Sequence, residues 1–189
     1  MSRILITLLP LLALCACLDG IGGDGDGDDG PREGYPAGPY GVSEGDVIDE
    51  LAFVDPDDAS FTLRQVYADG ANKLLLISTA AFWCVACAEE QPDLQDLHQT
   101  HGADGLFTMV SVFEDEQTQP AEAADAARWK TQYEVDFQVV ADPPFVLDAY
   151  YDSSLTPMNM LIEVGSMTIF RINTGWDPSA TRSLIEAKL

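Results

Sequence analysis

Two cysteines separated by two small apolar residues, Cys84-Val85-Ala86-Cys87, are the residues of this chain best suited to do chemistry. At this spacing a cysteine pair forms a structural crosslink, half of a metal site, or a redox couple that opens and closes. A crosslink that closes so short a loop removes little chain entropy, because the stabilisation by a disulfide grows with loop length. Stapling alone therefore explains the spacing poorly.

The beginning of the chain has the pattern of an export signal. Arg3 is followed by an apolar run of about a dozen residues and then by small residues, which predicts a signal peptide over residues 1–16. The run is too short to span a bilayer as a mature helix. Its end, Leu14-Cys15-Ala16-Cys17, resembles the bacterial lipobox, so we expect Cys17 to become the lipidated N-terminus.

That assignment decides which cysteines remain as thiols. Cys15 leaves with the signal peptide and Cys17 becomes a thioether, so only Cys84 and Cys87 of the four cysteines are left. Compartments outside the cytoplasm are oxidising, and a thiol pair there forms a disulfide unless it is kept reduced. We therefore expect an exported protein on the periplasmic side of a bacterial cell envelope, held to the membrane by its lipid.

Composition limits the partners of the protein. Nine Lys and Arg residues face 32 Asp and Glu residues, a formal charge of −23, so nucleic acid is nearly excluded and an anionic membrane surface is disfavoured. An apolar fraction of 47% predicts one folded core. Residues 18–45 are rich in Gly, Asp and Pro, so we expect residues 17–45 to form a flexible tether and residues 46–189 to form the domain.

Hydrophobic patterns along the domain alternate between strands and helices. The run KLLLIST over 73–79 predicts a strand buried on both faces, and residues 84–100 predict a helix with a kink at Pro92. The further predictions are strands over 106–113 and 137–141, a helix over 120–133, a hairpin of 158–163 with 167–173, and a final helix capped by Asp177. This order predicts an α/β sandwich with a parallel core, finished by antiparallel strands and covered by helices on both faces.

The cysteine pair falls where the first of these strands meets its helix, at the carboxyl end of the strand, where open α/β sheets place their sites. In the first turn of a helix the Cys84 thiolate would be stabilised by unpaired N–H groups, and the three-residue offset brings Cys87 to the same side. We therefore expect Cys84 to attack a substrate and Cys87 to resolve the mixed disulfide. Trp83 either covers one side of the pair or packs at the rim of the core.

The run Phe82-Trp83-Cys84-Val85-Ala86-Cys87, with Glu90 and Pro92 after it, resembles the thioredoxin fold, nearest to its membrane-tethered, TlpA-like (AhpC/TSA-related) branch. The resemblance covers about residues 46–189 and implies a thioredoxin-like three-layer sandwich. It implies that Pro157, in Leu155-Thr156-Pro157-Met158, is a cis-proline opposite the disulfide. Thr156 could then pair with an extended client peptide through backbone hydrogen bonds. The family also carries an active-site glutamate at the offset of Glu90.

Two positions depart from the family pattern. Ser78 stands six residues before Cys84, where thioredoxin has a buried Asp that assists proton transfer, so proton handling must lie elsewhere or be weak. Glu90 shares a helical face with Cys87, Leu94 and Leu97, where partial desolvation would raise its pKa into the range of a general acid or base. The spacer Val85-Ala86 lacks the Pro or His of better-known members, so the redox potential cannot be read from it.

The two cysteines could also belong to a metal site, of zinc or of copper. His98 and His101 follow Cys87 at a spacing close to that of Cys2His2 zinc sites, but His98 would lie about 20 Å along the helix from Cys84. We expect both histidines at the edge of the core. Cu(I) held by the two thiolates with Met158 or Met160 stays an alternative, as does a non-enzymatic binding module with an inert disulfide.

The preferred hypothesis is a lipid-anchored, exported thiol-disulfide oxidoreductase without a metal or organic cofactor. Its catalytic residues are Cys84, Cys87 and Glu90, and its substrate-binding residues are Trp83, Thr156 and Pro157. Its expected partners are client proteins with thiols or disulfides, a membrane or soluble dithiol donor or acceptor, and the membrane that holds the lipid.

Overall fold

The computed structural model describes residues 30–189. The signal peptide over residues 1–16, the lipidation of Cys17 and the first part of the tether, residues 17–29, lie outside the described residues and stay predictions.

The described residues contain a sheet of seven strands in the spatial order β2-β1-β5-β4-β3-β6-β7. The strands are β1 (Ala52–Val54), β2 (Ser60–Thr62), β3 (Leu74–Ala81), β4 (Leu106–Glu114), β5 (Gln138–Ala141), β6 (Met158–Glu163) and β7 (Thr168–Thr174). The central strands β3, β4 and β5 are parallel, while β1, β2, β6 and β7 join them through antiparallel pairs. The predicted parallel core finished by antiparallel strands is confirmed.

Helices cover both faces of this sheet. They are α1 (Leu63–Ala68), α2 (Val85–Glu89), α3 (Gln91–His101), α4 (Ala123–Gln132) and α5 (Pro178–Glu186), with a 3-10 helix over Val146–Tyr150. On one face α3, α4 and α5 bury residues such as Leu94, Trp129 and Ile185, and on the other α1 and the 3-10 helix bury Leu63 and Leu147. The three-layer α/β class is thus confirmed. Among the described residues no helix is long and apolar enough to cross a membrane.

Strand β3 holds the two layers together. All eight of its residues are buried, and their side chains alternate between the two cores, Leu74 and Leu76 on one face and Leu75 and Ile77 on the other. An unbroken apolar run is what a strand covered on both faces requires. The strand ends at Ala81, three residues before Cys84.

The helix predicted over 84–100 is divided in two. Helix α2 ends at Glu89, Glu90 lies between the helices, and α3 begins with Gln91 and Pro92. Proline is tolerated in the first turn of a helix because the N–H that it lacks would have no intrahelical acceptor there. The break therefore lies just before Pro92. Strand β1 was not predicted, because a three-residue strand carries almost no periodic signal.

Residues 30–45, expected to belong to the tether, contact the domain. The Arg32 guanidinium donates to the main-chain carbonyls of Tyr67, Asp69, Gly70 and Asn72 at 3.1 to 3.3 Å, in the last turn of α1 and just beyond it. A cation there complements the negative end of the helix dipole. Gly45 N–H donates to the Ile169 carbonyl at 2.7 Å, which ties the same segment to β7.

Candidate redox site

The two cysteines are joined by a disulfide, with Cα atoms 5.3 Å apart, in the loop that follows β3. Cys84 is the residue that caps α2, and its Sγ accepts a hydrogen bond from the Cys87 N–H at 3.1 Å. Cys84 keeps 6% of its surface exposed while Cys87 has none. The structure therefore leaves Cys84 as the sulfur that an incoming thiol can reach.

Trp83 borders the disulfide on the solvent side. Its side chain is 45% exposed, its Nε1 donates to Glu114 Oε2 at 2.7 Å, and its ring meets the edge of Phe113 with centroids 6.1 Å apart. The preceding Phe82 points inward and contacts Trp129, and the Arg128 guanidinium lies 3.8 Å above its ring. Trp83 is therefore held at the surface by contacts with the end of β4.

The loop before β6 lies at the same end of the sheet as the disulfide, because β6 runs antiparallel to β3. The Thr156–Pro157 peptide bond in this loop is cis. The Met158 N–H donates to Thr79 Oγ1 at 2.8 Å, which fixes the start of β6 beside the end of β3. Pro157 is buried and Thr156 is half-buried. Topology thus brings the expected site residues of both loops to one edge.

Glu90 lies completely buried between the helices and the sheet, three residues after Cys87. Ser78 Oγ donates to its Oε1, and Asn159 Nδ2 donates to its Oε2 at 3.1 Å. Burial raises the pKa of Glu90 to about 7, against the lowering effect of these two hydrogen bonds. A carboxyl group with such a pKa exchanges protons readily at neutral pH.

Ser78 and Asn159 were not predicted as partners of Glu90. In the sequence, Ser78 was only a departure from the family pattern. In the structure, its hydroxyl donates a hydrogen bond to Glu90, the carboxyl group expected to replace the missing Asp. Asn159 stands opposite Ser78 in the β3–β6 register. No local sequence pattern signals this contact, because it joins the α2–α3 junction to two strands.

The zinc alternative finds no cluster among the described residues: nowhere in 30–189 do three or more His, Cys, Asp or Glu side chains come together as such a site would require. His98 and His101 lie in the last turn of α3, away from the cysteines at the start of α2. His98 is half-buried and meets the ring of Phe137, with centroids 6.0 Å apart, and His101 is buried. Both therefore lie at the edge of the core, as expected.

A mixed sheet covered on both faces, with a Cys-x-x-Cys disulfide at the carboxyl end of a central strand, defines a thioredoxin-like fold. The chain belongs to the AhpC/TSA family, whose model matches residues 45–170. The resemblance to the TlpA-like branch is thus confirmed. No curated protein sequence matches the chain.

Solved structures with this fold come from several bacteria. A thioredoxin-family thiol:disulfide interchange protein from Chlorobium tepidum is 15% identical, with a TM-score of 0.57 over 87% of this chain and 99% of that one. A secreted disulfide oxidoreductase of Mycobacterium tuberculosis is 16% identical, with a TM-score of 0.54 over 73% and 96%. The exposed lipoprotein thioredoxin Etrx1 of Streptococcus pneumoniae is 18% identical, with a TM-score of 0.55 over 74% and 99%. At these identities the likeness is one of fold.

Replacing Glu90 by Gln should change the pH dependence of stability. The raised pKa means that the folded chain binds this proton more tightly than the unfolded chain does. Glu90 therefore contributes stability below its ordinary value of 4.5, and this contribution is lost as the pH rises through about 7. As the pH rises from 4.5 to 8, the free energy of unfolding of E90Q should increase by roughly 3 kcal/mol relative to that of wild type.

Urea unfolding of the two oxidised proteins across this pH range measures the difference. Gln fits the site, because its Nε2 can donate to the rotatable Ser78 hydroxyl while its Oε1 accepts from Asn159. The neighbouring exposed Glu89 provides the control, since E89Q should follow the wild-type curve. Parallel curves for E90Q and wild type would contradict a raised pKa at Glu90.

Proposed function

We propose that the protein is an exported, lipid-anchored oxidoreductase that exchanges disulfides with client proteins through Cys84 and Cys87. The observation that supports this most strongly is the combination of a reachable Cys84 sulfur, a buried Cys87 and a buried Glu90 with a pKa of about 7. Perturbed carboxyl groups beside a reactive pair are a common feature of active sites. The export signal and the Cys17 lipobox support the location.

In the reducing direction, the Cys84 thiolate attacks one sulfur of a client disulfide. A bond forms between Cys84 and that sulfur, the client disulfide breaks, and the other client sulfur leaves as a thiolate. Cys87 loses its proton to the Glu90 carboxylate and attacks the Cys84 sulfur. The Cys84–Cys87 disulfide forms, the first client sulfur leaves, and the proton passes from Glu90 to a leaving thiolate. Two electrons have moved to the client, and the reverse sequence oxidises it.

Client binding is assigned to the surface around the disulfide. Trp83, Val85 and Leu155 are among the few large apolar side chains exposed in the described part of the chain, and two of them flank Cys84 in sequence. Leu155 precedes Thr156 and Pro157 in the loop that reaches the same end of the sheet. An extended client segment that crosses this surface would contact these apolar groups and pair with the Thr156 backbone.

The two cysteines should have different roles. With dithiothreitol as reductant and insulin as the disulfide substrate, Cys84→Ser should abolish turnover, because it removes the attacking sulfur. Cys87→Ser, first reduced and then freed of dithiothreitol, should react once with insulin and accumulate as a mixed disulfide with an insulin chain, because no second thiol is present to resolve it. Insulin precipitation and mass spectrometry of the adduct check both results. Wild-type turnover by Cys84→Ser would contradict the assignment, and an inert wild-type pair would favour a binding module.

Glu90 should act on the resolving step. With Gln at this position Cys87 has no internal base, so release of the mixed disulfide should slow by about 100-fold near pH 7 and lose its inflection near that pH. Stopped-flow measurement of single turnovers between pH 5 and 9 gives this rate. The matched variant E89Q removes an exposed carboxylate of the adjacent residue and should keep the wild-type profile. An unaltered profile in E90Q would remove Glu90 from the mechanism.

A further inference from the structure

Tyr151 joins the two strands that carry the site. Its Oη lies 3.1 Å from Thr79 Oγ1, near the end of β3, and 2.7 Å from Thr156 Oγ1, in the loop before β6. Thr79 Oγ1 also accepts the Met158 N–H at 2.8 Å. These contacts form one continuous chain of hydrogen bonds from the backbone of β6 to the side chain of Thr156.

The chain has a direction. Thr79 accepts from the Met158 N–H and donates its own hydrogen to Tyr151 Oη. Either hydroxyl of the Tyr151–Thr156 pair can be the donor, and each has one hydrogen to give. In the arrangement that continues the direction from Thr79, the Tyr151 hydroxyl donates to Thr156 Oγ1. The Thr156 hydroxyl is thereby left with its hydrogen free. At a half-buried position beside Pro157, that hydrogen is available as a donor to a bound molecule.

A row of aromatic rings fixes Tyr151 from the other side. Its ring meets the edge of Phe145, with centroids 6.2 Å apart, and Phe145 stacks on Phe113 at 4.0 Å, which in turn contacts Trp83. The row thus runs from the residue before Cys84 to the residue that holds Thr156. The phenol has little freedom to turn away from Thr156.

Phe145 is placed in this row by a strained backbone. Its φ is +52°, in the left-handed region that non-glycine residues rarely adopt. The buried residue Asp142 holds this conformation: its carbonyl accepts the Phe145 N–H at 2.9 Å, and its Oδ1 accepts the Val146 N–H at 2.8 Å. Strained residues that are fixed in this way concentrate at functional sites, where the fold specifies the position of a side chain.

We propose that Tyr151 is a positioning residue that holds the Thr156 hydroxyl as a hydrogen-bond donor to a main-chain carbonyl of the client peptide. This rests on the proposed function, because it assigns a peptide to the surface beside the disulfide. The consequence is selectivity for substrate class. An extended peptide supplies the carbonyl acceptor, whereas a small disulfide without an acceptor gains nothing from the oriented hydroxyl.

The test compares two disulfide substrates of the full-length protein with dithiothreitol as reductant. One is a short unstructured peptide whose single cysteine is disulfide-bonded to glutathione, and the other is cystamine, which has no oxygen acceptor. Tyr151→Phe keeps the ring against Phe145 and removes only the hydroxyl. It should raise KM for the peptide by about three- to tenfold, the loss of one hydrogen bond, and change kcat and the cystamine reaction by less than about twofold.

A double-mutant cycle shows whether Tyr151 acts through Thr156. Thr156→Val should raise the peptide KM by a similar factor, and adding Tyr151→Phe to it should raise KM no further. The control is Tyr150→Phe. The Tyr150 hydroxyl bonds the Asp49 backbone and not Thr156, so this variant should leave the peptide KM at the wild-type value. If the two effects multiply, or if peptide and cystamine respond equally, the proposal is overturned.

Two further outcomes are distinguishable. If Tyr151→Phe does not fold, Tyr151→Leu replaces it in the same cycle with Thr156→Val, because it also removes the hydroxyl and leaves the Thr79–Met158 hydrogen bond in place. Coupling between them then supports the proposal and independence overturns it. If wild type reduces neither peptide nor cystamine, the proposed function itself fails. If wild type reduces both and Tyr151→Phe equals wild type, only the role of Tyr151 fails.

Discussion

The structure depends on burying β3 on both of its faces. Its side chains fill two separate cores, and its backbone pairs with β4 on one side and with β6 on the other. A strand held by so many contacts has one register, since a slip by one residue would exchange the two faces. The position of the loop that follows the carboxyl end of β3 is therefore fixed as well. The Cys84 loop and the start of β6 meet there for this reason.

Glu90 is the costly feature of this arrangement. A carboxyl group without solvent contact between a helix and a sheet is unfavourable in its charged form, and the hydrogen bonds from Ser78 and Asn159 offset only part of that cost. An apolar side chain at this position would make a more stable core. The carboxyl group adds a titratable proton three residues after Cys87, which a structural role does not require.

The sequence predicted the parts of the fold that have strong periodic or capping signals. The apolar run of β3, the β6–β7 hairpin and the Asp177-Pro178 start of α5 agree with the structure to within one or two residues. The three-residue strand β1 has no such signal and exists because β2 and β5 pair with it. The α2–α3 break was expected at Pro92 and falls just before it.

The site was predictable to the same extent. Motif and spacing pointed to Cys84, Cys87 and Glu90, and the structure brings these residues to one end of β3. The partners of Glu90 and the role of Tyr151 depend on contacts between elements far apart in sequence, such as Thr79 and Tyr151, which are 72 residues apart. Such contacts depend on the register between strands, which is seen in the assembled sheet and not in local sequence patterns.

The proposed function requires the Cys84–Cys87 disulfide to be an operating redox couple. Its equilibrium reduction potential in the full-length protein, titrated with dithiothreitol or glutathione and read by thiol alkylation, tests this most directly. We expect a reversible two-electron transition in the folded state, between roughly −270 mV, as in thioredoxin, and roughly −120 mV, as in DsbA. A midpoint below roughly −300 mV, typical of structural disulfides, or reduction only upon unfolding would contradict it.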